Sequence, residues 1–215
     1  MTAGELLQLF RFEFADTEQP YLVSDEVALS YINDAQQMFC RLCWGIASAR
    51  GNSLRLRSGK PWYELPEGTL DVSDAWYGGR LLTVLPAGRM HEYGLSLGDT
   101  RGGQPRFVVL GLDAGYARLF PEPDASCDGT TVELHIYRLP TVIEDKGDEL
   151  EIEPQHHRHL LMWVKSLAFG ALDADVYDPN KSVEFEARFK EYCKQAALER
   201  TRATHPPGYV AYGGL

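Results

Sequence analysis

The chain has 215 residues, 44% hydrophobic and 24% charged, with a formal net charge of −10. That length and mix build one substantial core, or one domain carrying an insertion, and no apolar run approaches the roughly 18 residues that would span a bilayer. The acidic balance disfavours gripping nucleic acid, which needs a basic face, and keeps a protein soluble, yet it leaves room for a duplex that passes without being held.

The N-terminus, MTAGELLQLFRFEFAD, lacks a basic start, a continuous apolar run and a small-residue cleavage site. It is therefore expected not to be a signal peptide, and the protein to be soluble and intracellular when made. Thr2 to Phe14 predicts a short helix capped by Thr2, with Leu6, Leu7, Phe10 and Phe14 on one stripe. Asp16 to Val23 is a loop in which Pro20 stops the helix. Ser24 to Trp44 (SDEVALSYINDAQQMFCRLCW) predicts the spine of the molecule. Val27, Tyr31, Ala35, Met38 and Leu42 recur at helical spacing, flanked by Ala28, Ile32, Phe39 and Cys43. Ser24 or Asp25 supplies the capping oxygen, and Asp25 and Glu26 suit the positive end of the helix dipole.

From Ser53 to Pro140 the pattern shortens. Ser53–Arg57, Trp62–Leu65, Arg80–Leu85, Phe107–Leu112, Tyr116–Phe120 and Thr131–Leu139 read as strands, and Asp113-Ala114-Gly115 as a hairpin turn. Val132, Leu134 and Ile136 alternate cleanly against Glu133, His135 and Tyr137. Asp71–Tyr77 is expected to form one helical turn, and Met90–Ser96 reads as ambiguous, with a short helix as one option. Short strands punctuated by Gly and Pro suggest a small antiparallel sandwich or barrel.

Thr141 to Glu153 (TVIEDKGDELEIE) is an acidic connector, read as a solvated loop because it lacks the frame and spacing of a calcium-binding loop. Helix resumes at Pro154, with Leu160, Leu161, Trp163, Val164, Leu167 and Ala168 as its stripe. Asp173–Tyr177 connects it to a last helix opened by Asp178 as cap and Pro179 at the first position. Phe185, Phe189, Tyr192 and Ala196 form that helix's stripe, with Glu184–Arg188 and Glu186–Lys190 pairs outside. The end, His205 to Leu215 (HPPGYVAYGGL), is broken by Pro and Gly yet carries Tyr209, Val210, Tyr212 and Leu215.

The expected fold class is therefore α+β: a helical bundle of residues 1–50 and 141–203, a small antiparallel β-sandwich or barrel inserted at 51–140, and an extended C-terminal tail at 204–215.

Chemistry-bearing motifs are thin. Cys40 and Cys43 form a C-x-x-C inside the spine helix, without the second ligand pair and turn of a zinc ribbon; with Cys127 and Cys193 they read as buried thiols. His156 and His159 share a helix face, and Glu153–His156 is a Glu-x-x-His, but the second one that a di-iron bundle needs is absent from the sequence. No G-x-S-x-G and no phosphate-cradling glycine loop appears. No catalytic residue, metal ligand or cofactor is assigned.

Several segments in order resemble the head-to-tail adaptor (connector) proteins of tailed bacteriophages. Ser24, Asp25, Glu26, Tyr31, Asn33, Ala35 and Gln36 carry the strongest part. YELPEGTLDV from Tyr63 to Val72, IEPQHHRHLLMWVKSLAF and DPNKSVEFEARF follow, while the middle β block matches by character. The resemblance spans nearly the whole chain. It implies a structural virion protein rather than an enzyme, located at the head–tail junction and in the host cytoplasm before assembly. It implies a homo-oligomeric ring, usually of twelve copies, below the portal protein. Such a ring extends the DNA channel without specific DNA binding, involves no membrane, and offers a docking surface to tail or nozzle proteins. Portal docking would fall to Tyr209, Val210, Tyr212 and Leu215 as anchors. Two alternatives stay open: a metal-dependent hydrolase using His156, His159 and nearby carboxylates, and a non-ring tail-completion binding protein.

Overall fold

In the computed structural model, residues 1–171 and 177–204 are described. They fall into two compact units, one built from Met1–Gly45 with the chain from Pro140 onward, the other from Ile46–Leu139. Helices occupy the first and a curled mixed sheet the second, so the fold class is α+β.

The helical unit contains α1 (Ala3–Phe14), α2 (Asp25–Leu42), α3 (His157–Gly170) and α4 (Pro179–Thr204). Thr2 caps α1 in a full capping box: its side chain accepts from Glu5 N, and the Glu5 carboxylate accepts from Thr2 N. Leu6, Leu7 and Phe10 bury the α1 stripe. Ser24, rather than Asp25, caps α2.

The buried seam of α2 is rotated by about one residue from the sequence expectation. Ala28, Ile32, Ala35, Phe39 and Cys43 are buried, whereas Val27 and Leu42 are 42% and 39% exposed. The small side chains Ala28 and Ala35 let neighbouring elements approach on that face, and close packing favours the closer approach. Between α3 and α4 the same economy applies. Ser166 and Ser182 each donate a hydroxyl to the other's carbonyl, at 2.9 and 2.8 Å, and Phe169 stacks on Phe185. Asp178 caps α4 by accepting from Lys181 N at 3.1 Å.

The acidic connector differs most from a solvated loop. Its carboxylates face out, but Ile143, Leu150 and Ile152 are buried. Asn33 on α2 grips its backbone twice, donating to Ile143 O at 2.9 Å and accepting from Ile143 N at 2.8 Å. Carbonyls of Asp148 and Lys146 accept from Ala3 N and Gly4 N, both at 2.8 Å, which satisfies two amides that the first turn of α1 cannot bond internally. A side chain at Gly4 would meet Lys146 O at 2.9 Å, so glycine is what permits this approach. The connector is a strap laid across α1 and α2.

A buried ion pair fixes the other end of α1. Arg11 pairs with Asp16 and, at 2.7 Å, with Asp25 of α2. Asp16 also accepts from Leu22 N and Val23 N at 2.8 and 3.2 Å, and Arg11 lies over the Tyr21 ring. Lys146 of the strap completes the set by binding Asp25 at 2.5 Å.

The second unit holds β1 (Ile46–Ser48), β2 (Ser53–Arg55), β3 (Trp62–Glu64), β4 (Thr69–Tyr77), β5 (Arg80–Pro86), β6 (Gly102–Gly103), β7 (Phe107–Asp113), β8 (Tyr116–Phe120), β9 (Glu122–Pro123) and β10 (Thr131–Arg138). The main order is β1-β10-β4-β5-β7-β8-β3, with β2 also on β10. Because β2 and β3 are consecutive but pair at opposite ends of this path, the short Leu56–Pro61 link draws the ends together and curls the sheet. Tyr63 reinforces the link, its hydroxyl donating to Arg57 O and accepting from Arg57 N. Leu56, Val72, Leu82, Val108, Leu119, Leu134 and their neighbours fill the interior.

Two expectations need correction. The sheet is mixed rather than wholly antiparallel: β5 and β7 are parallel, because about twenty residues carrying a 3-10 segment (Ala87–Tyr93) cross over between them. That crossover buries Met90 with Leu85, Val109 and Phe120 on the sheet's other face, so β5 and β7 read as continuous apolar runs. The expected helical turn at Asp71–Tyr77 is part of the central strand β4. A bulge at Ser73 shifts the register, so Val72 and Ala75 both face the interior at a spacing of three. That spacing imitates a helix.

Replacing Asp16 with Ala leaves Arg11 buried without its closest partner and should cost about 3–5 kcal/mol in urea unfolding. Asn33→Ala loses two strap bonds and should cost about 1–3 kcal/mol. A loss below about 1 kcal/mol for Asp16→Ala would mean that the pair is solvated rather than buried.

Candidate partner-binding site

The anchors expected from the sequence, Tyr209, Val210, Tyr212 and Leu215, lie outside the described residues, as does most of the Asp173–Tyr177 connector. What is described is the platform from which residues 205–215 continue. Phe189, Cys193 and Ala196 bury one face of α4. One turn further, the Arg200 guanidinium donates to Cys43 O at 3.0 Å and Gly45 O at 2.5 Å. A cation placed on the last carbonyls of α2 suits the negative end of that helix and ties the end of α4 to it.

Between those two carbonyls Trp44 adopts a left-handed backbone (φ 74°) and is 56% exposed. A bulky side chain in that conformation is strained, and the Arg200 clamp holds it there. Trp44 and the partly exposed Leu42 therefore present apolar surface beside the root of the C-terminal segment. Nothing in the residue pattern signals this role, since Trp44 reads as the last residue of a helix.

His156, His157 and His159 are engaged with neighbouring side chains and backbone rather than forming an open ligand site. His156 Nδ1 and the Tyr192 hydroxyl are 2.7 Å apart, His156 packs on Phe39, and His159 stacks on the Tyr192 ring with centroids 3.8 Å apart. His157 is buried and donates from Nε2 to Ile152 O at 2.6 Å. Among the described residues, no group of three or more His, Cys, Asp or Glu side chains is placed to hold a metal ion. Burial pushes the pKa of His156 and of His159 down, with Arg158 adding to the effect at His159. Burial raises Tyr192 to about 12. These groups act as neutral packing between α3 and α4.

All four cysteines are buried, with Cys43 donating to the Cys193 carbonyl at 3.3 Å. The contact with Cys43, together with burial, pushes the Cys193 thiol up, so it stays protonated. Among the described residues no helix is long and apolar enough to cross a membrane.

The β unit carries a feature that sequence reading missed. Arg80, Arg101 and Arg106, scattered through an acidic chain, line one recess of about 560 Å³ together with Tyr93, Phe107 and Phe120. Only the parallel β5–β7 pairing brings the first and last of them to the same end of the sheet.

A protonated His156 or His159 is disfavoured in the folded state, whereas the unfolded chain protonates near 6.5. Stability should then be full above that pH and fall as pH drops below it, before carboxylates such as Asp25 titrate. The wild-type melting temperature should drop by a few degrees from pH 7.5 to 5.5, and the drop should shrink in His156→Gln/His159→Gln. An unchanged drop would refute the assignment.

Comparison with known families now bears on the whole chain. The family described as SU10 adaptor protein matches residues 1–211. No curated protein matches the chain. The chain belongs to the SU10 adaptor protein family, a family of phage head–tail adaptors.

Proposed function

With membership of that adaptor family as premise, we propose that this chain is the structural piece that joins the portal of a DNA-filled head to its tail. In this reading, copies form a ring, twelve by the family pattern, below the portal protein. The ring extends the DNA channel, and its far side receives tail or nozzle proteins. Its place is the virion's head–tail junction, and the host cytoplasm before assembly. The observation that carries the proposal is the family match over residues 1–211, which runs through both units and into the C-terminal segment.

The structure supports a division of labour. The helical unit, Met1–Gly45 with the chain from Pro140, is the scaffold, and Ile46–Leu139 is the inserted β domain. Residues 205–215 are the portal-docking segment, with Tyr209, Val210, Tyr212 and Leu215 as anchors. Such a segment docks best from a fixed root, because ordering costs at the interface are then smaller. The Arg200 clamp on Cys43 and Gly45 supplies that root. His156, His157 and His159 pack or hydrogen-bond within the helical unit, and Asp16, Asp25 and Glu13 are held in ion pairs, which suits a load-transmitting structural protein. A net charge of −10 suits a channel through which DNA slides.

The test is co-assembly with the cognate portal protein, read as mass by light scattering. Full-length protein should give a ring-sized complex with portal. Deleting residues 205–215 should abolish it, and Tyr209→Ala/Tyr212→Ala should weaken it by about a hundredfold or more, since buried aromatic anchors carry about 2 kcal/mol each. A ring that survives deletion would move docking onto the helical unit. A monomer that binds portal without closing a ring would identify a tail-completion module instead. No complex under any condition would refute the adaptor proposal.

A further inference from the structure

The arginine recess of the β unit has the chemistry of a binding site. Thr83 N donates to Arg106 O at 2.9 Å, which fixes Arg106 beside β5, whose first residue is Arg80. Tyr93 packs edge-on against Phe107 with ring centroids 5.6 Å apart, giving the recess an apolar floor. Its one lining carboxylate, Asp99, is taken up by Arg101 through contacts of 2.6–3.1 Å. Arg80 spends one donor on Pro105 O at 2.7 Å. Among the described residues Arg106 has no ion-pair partner.

Positive charge in excess therefore surrounds an apolar floor, in a chain whose net charge is −10. The rim is pre-formed: the buried Arg118 holds it from beneath, donating to Asp99 O at 3.3 Å and pairing with Glu122 at 3.5 Å. A pre-formed rim lowers the ordering cost of binding.

The shape and charge favour a short acidic peptide segment with an apolar side chain. Duplex DNA would need an extended basic stripe along the phosphates, which a recess of about 560 Å³ does not offer. A matching segment exists in the chain itself, on the strap. Val142 is 58% exposed, and the exposed Glu144 and Asp145 follow it. Among the described residues neither carboxylate has an ion-pair partner. Their backbone is fixed, because Asp148 accepts from Glu144 N and Asp145 N at 2.9 Å.

We propose that the recess lined by Arg80, Arg101 and Arg106 on one copy receives Val142, Glu144 and Asp145 of a second copy. The two patches differ, so the contact is heterologous, the type that repeats head to tail and closes as a ring. The inference rests on the ring reading and adds the contact that builds it. Exposed charges make it salt-sensitive, so assembly weakens as ionic strength rises.

Charge reversal tests it on the full-length chain, by sedimentation velocity with and without portal protein. Arg80→Glu/Arg106→Glu should raise the concentration needed for assembly by about tenfold or more, and Glu144→Arg/Asp145→Arg should do the same. An equimolar mixture of the two variants should assemble again, because each supplies the charge that the other lacks. A chain carrying all four changes should also assemble. These recoveries separate lost contact from misfolding.

Assembly of Arg80→Glu/Arg106→Glu at wild-type concentrations would overturn the inference and leave the ring standing. Failure of both the mixture and the four-change chain would also overturn it. Loss of duplex DNA binding with assembly unchanged would assign the recess to phosphate instead. If the wild-type chain does not assemble, alone or on portal, the ring reading falls first and this contact with it.

Discussion

Arg11, only 7% exposed, ties together α1, the loop that follows it and the start of α2. It joins the end of α1 to Asp16 in the following loop and to Asp25 at the start of α2, and Asp25 passes the connection to Lys146 on the strap. Hydrogen bonds from Lys146 and then Arg11 hold the Asp25 carboxyl below its usual pKa. A buried charge is expensive unless it is fully paired, so this arrangement tolerates little variation in geometry. It sets the angle at which the chain turns from α1 into α2. The strap then lies where its carbonyls can complete the first turn of α1 and where Asn33 can grip Ile143.

That constraint gives physical meaning to the motif that carries the family resemblance. Ser24 is the cap of α2, Asp25 the junction of two ion pairs, Asn33 the clamp on the strap, and Ala35 a close-packing position. Gln36 is buried, and neither end of its amide has a protein partner. The motif specifies how one helix receives two other segments.

Much of the fold was legible because local signals agreed with it. The capping box at Thr2, the Asp178-Pro179 start of α4 and the alternation of Val132, Leu134 and Ile136 each follow from short-range chemistry. What was illegible depends on tertiary partners. The one-residue rotation of the α2 seam reflects which neighbours approach Ala28 and Ala35. The Ser73 bulge gave β4 a helical spacing. The strap looked solvated because its acids outnumber the three apolar residues that dock it. The recess was invisible because its arginines are scattered through sequence and gathered by a parallel pairing. His156 and His159 kept a metal-dependent alternative open because spacing is visible in sequence and a covering Tyr192 is not.

Under the proposed ring, capped and packed helices, a pinned strap and a curled sheet suit a part that repeats around an axis. The most direct test is electron cryo-microscopy of the head–tail junction in virions that carry this chain. The account predicts a closed ring of this protein seated against the portal. Density with no copy at that junction, or a single copy off the axis, would contradict it.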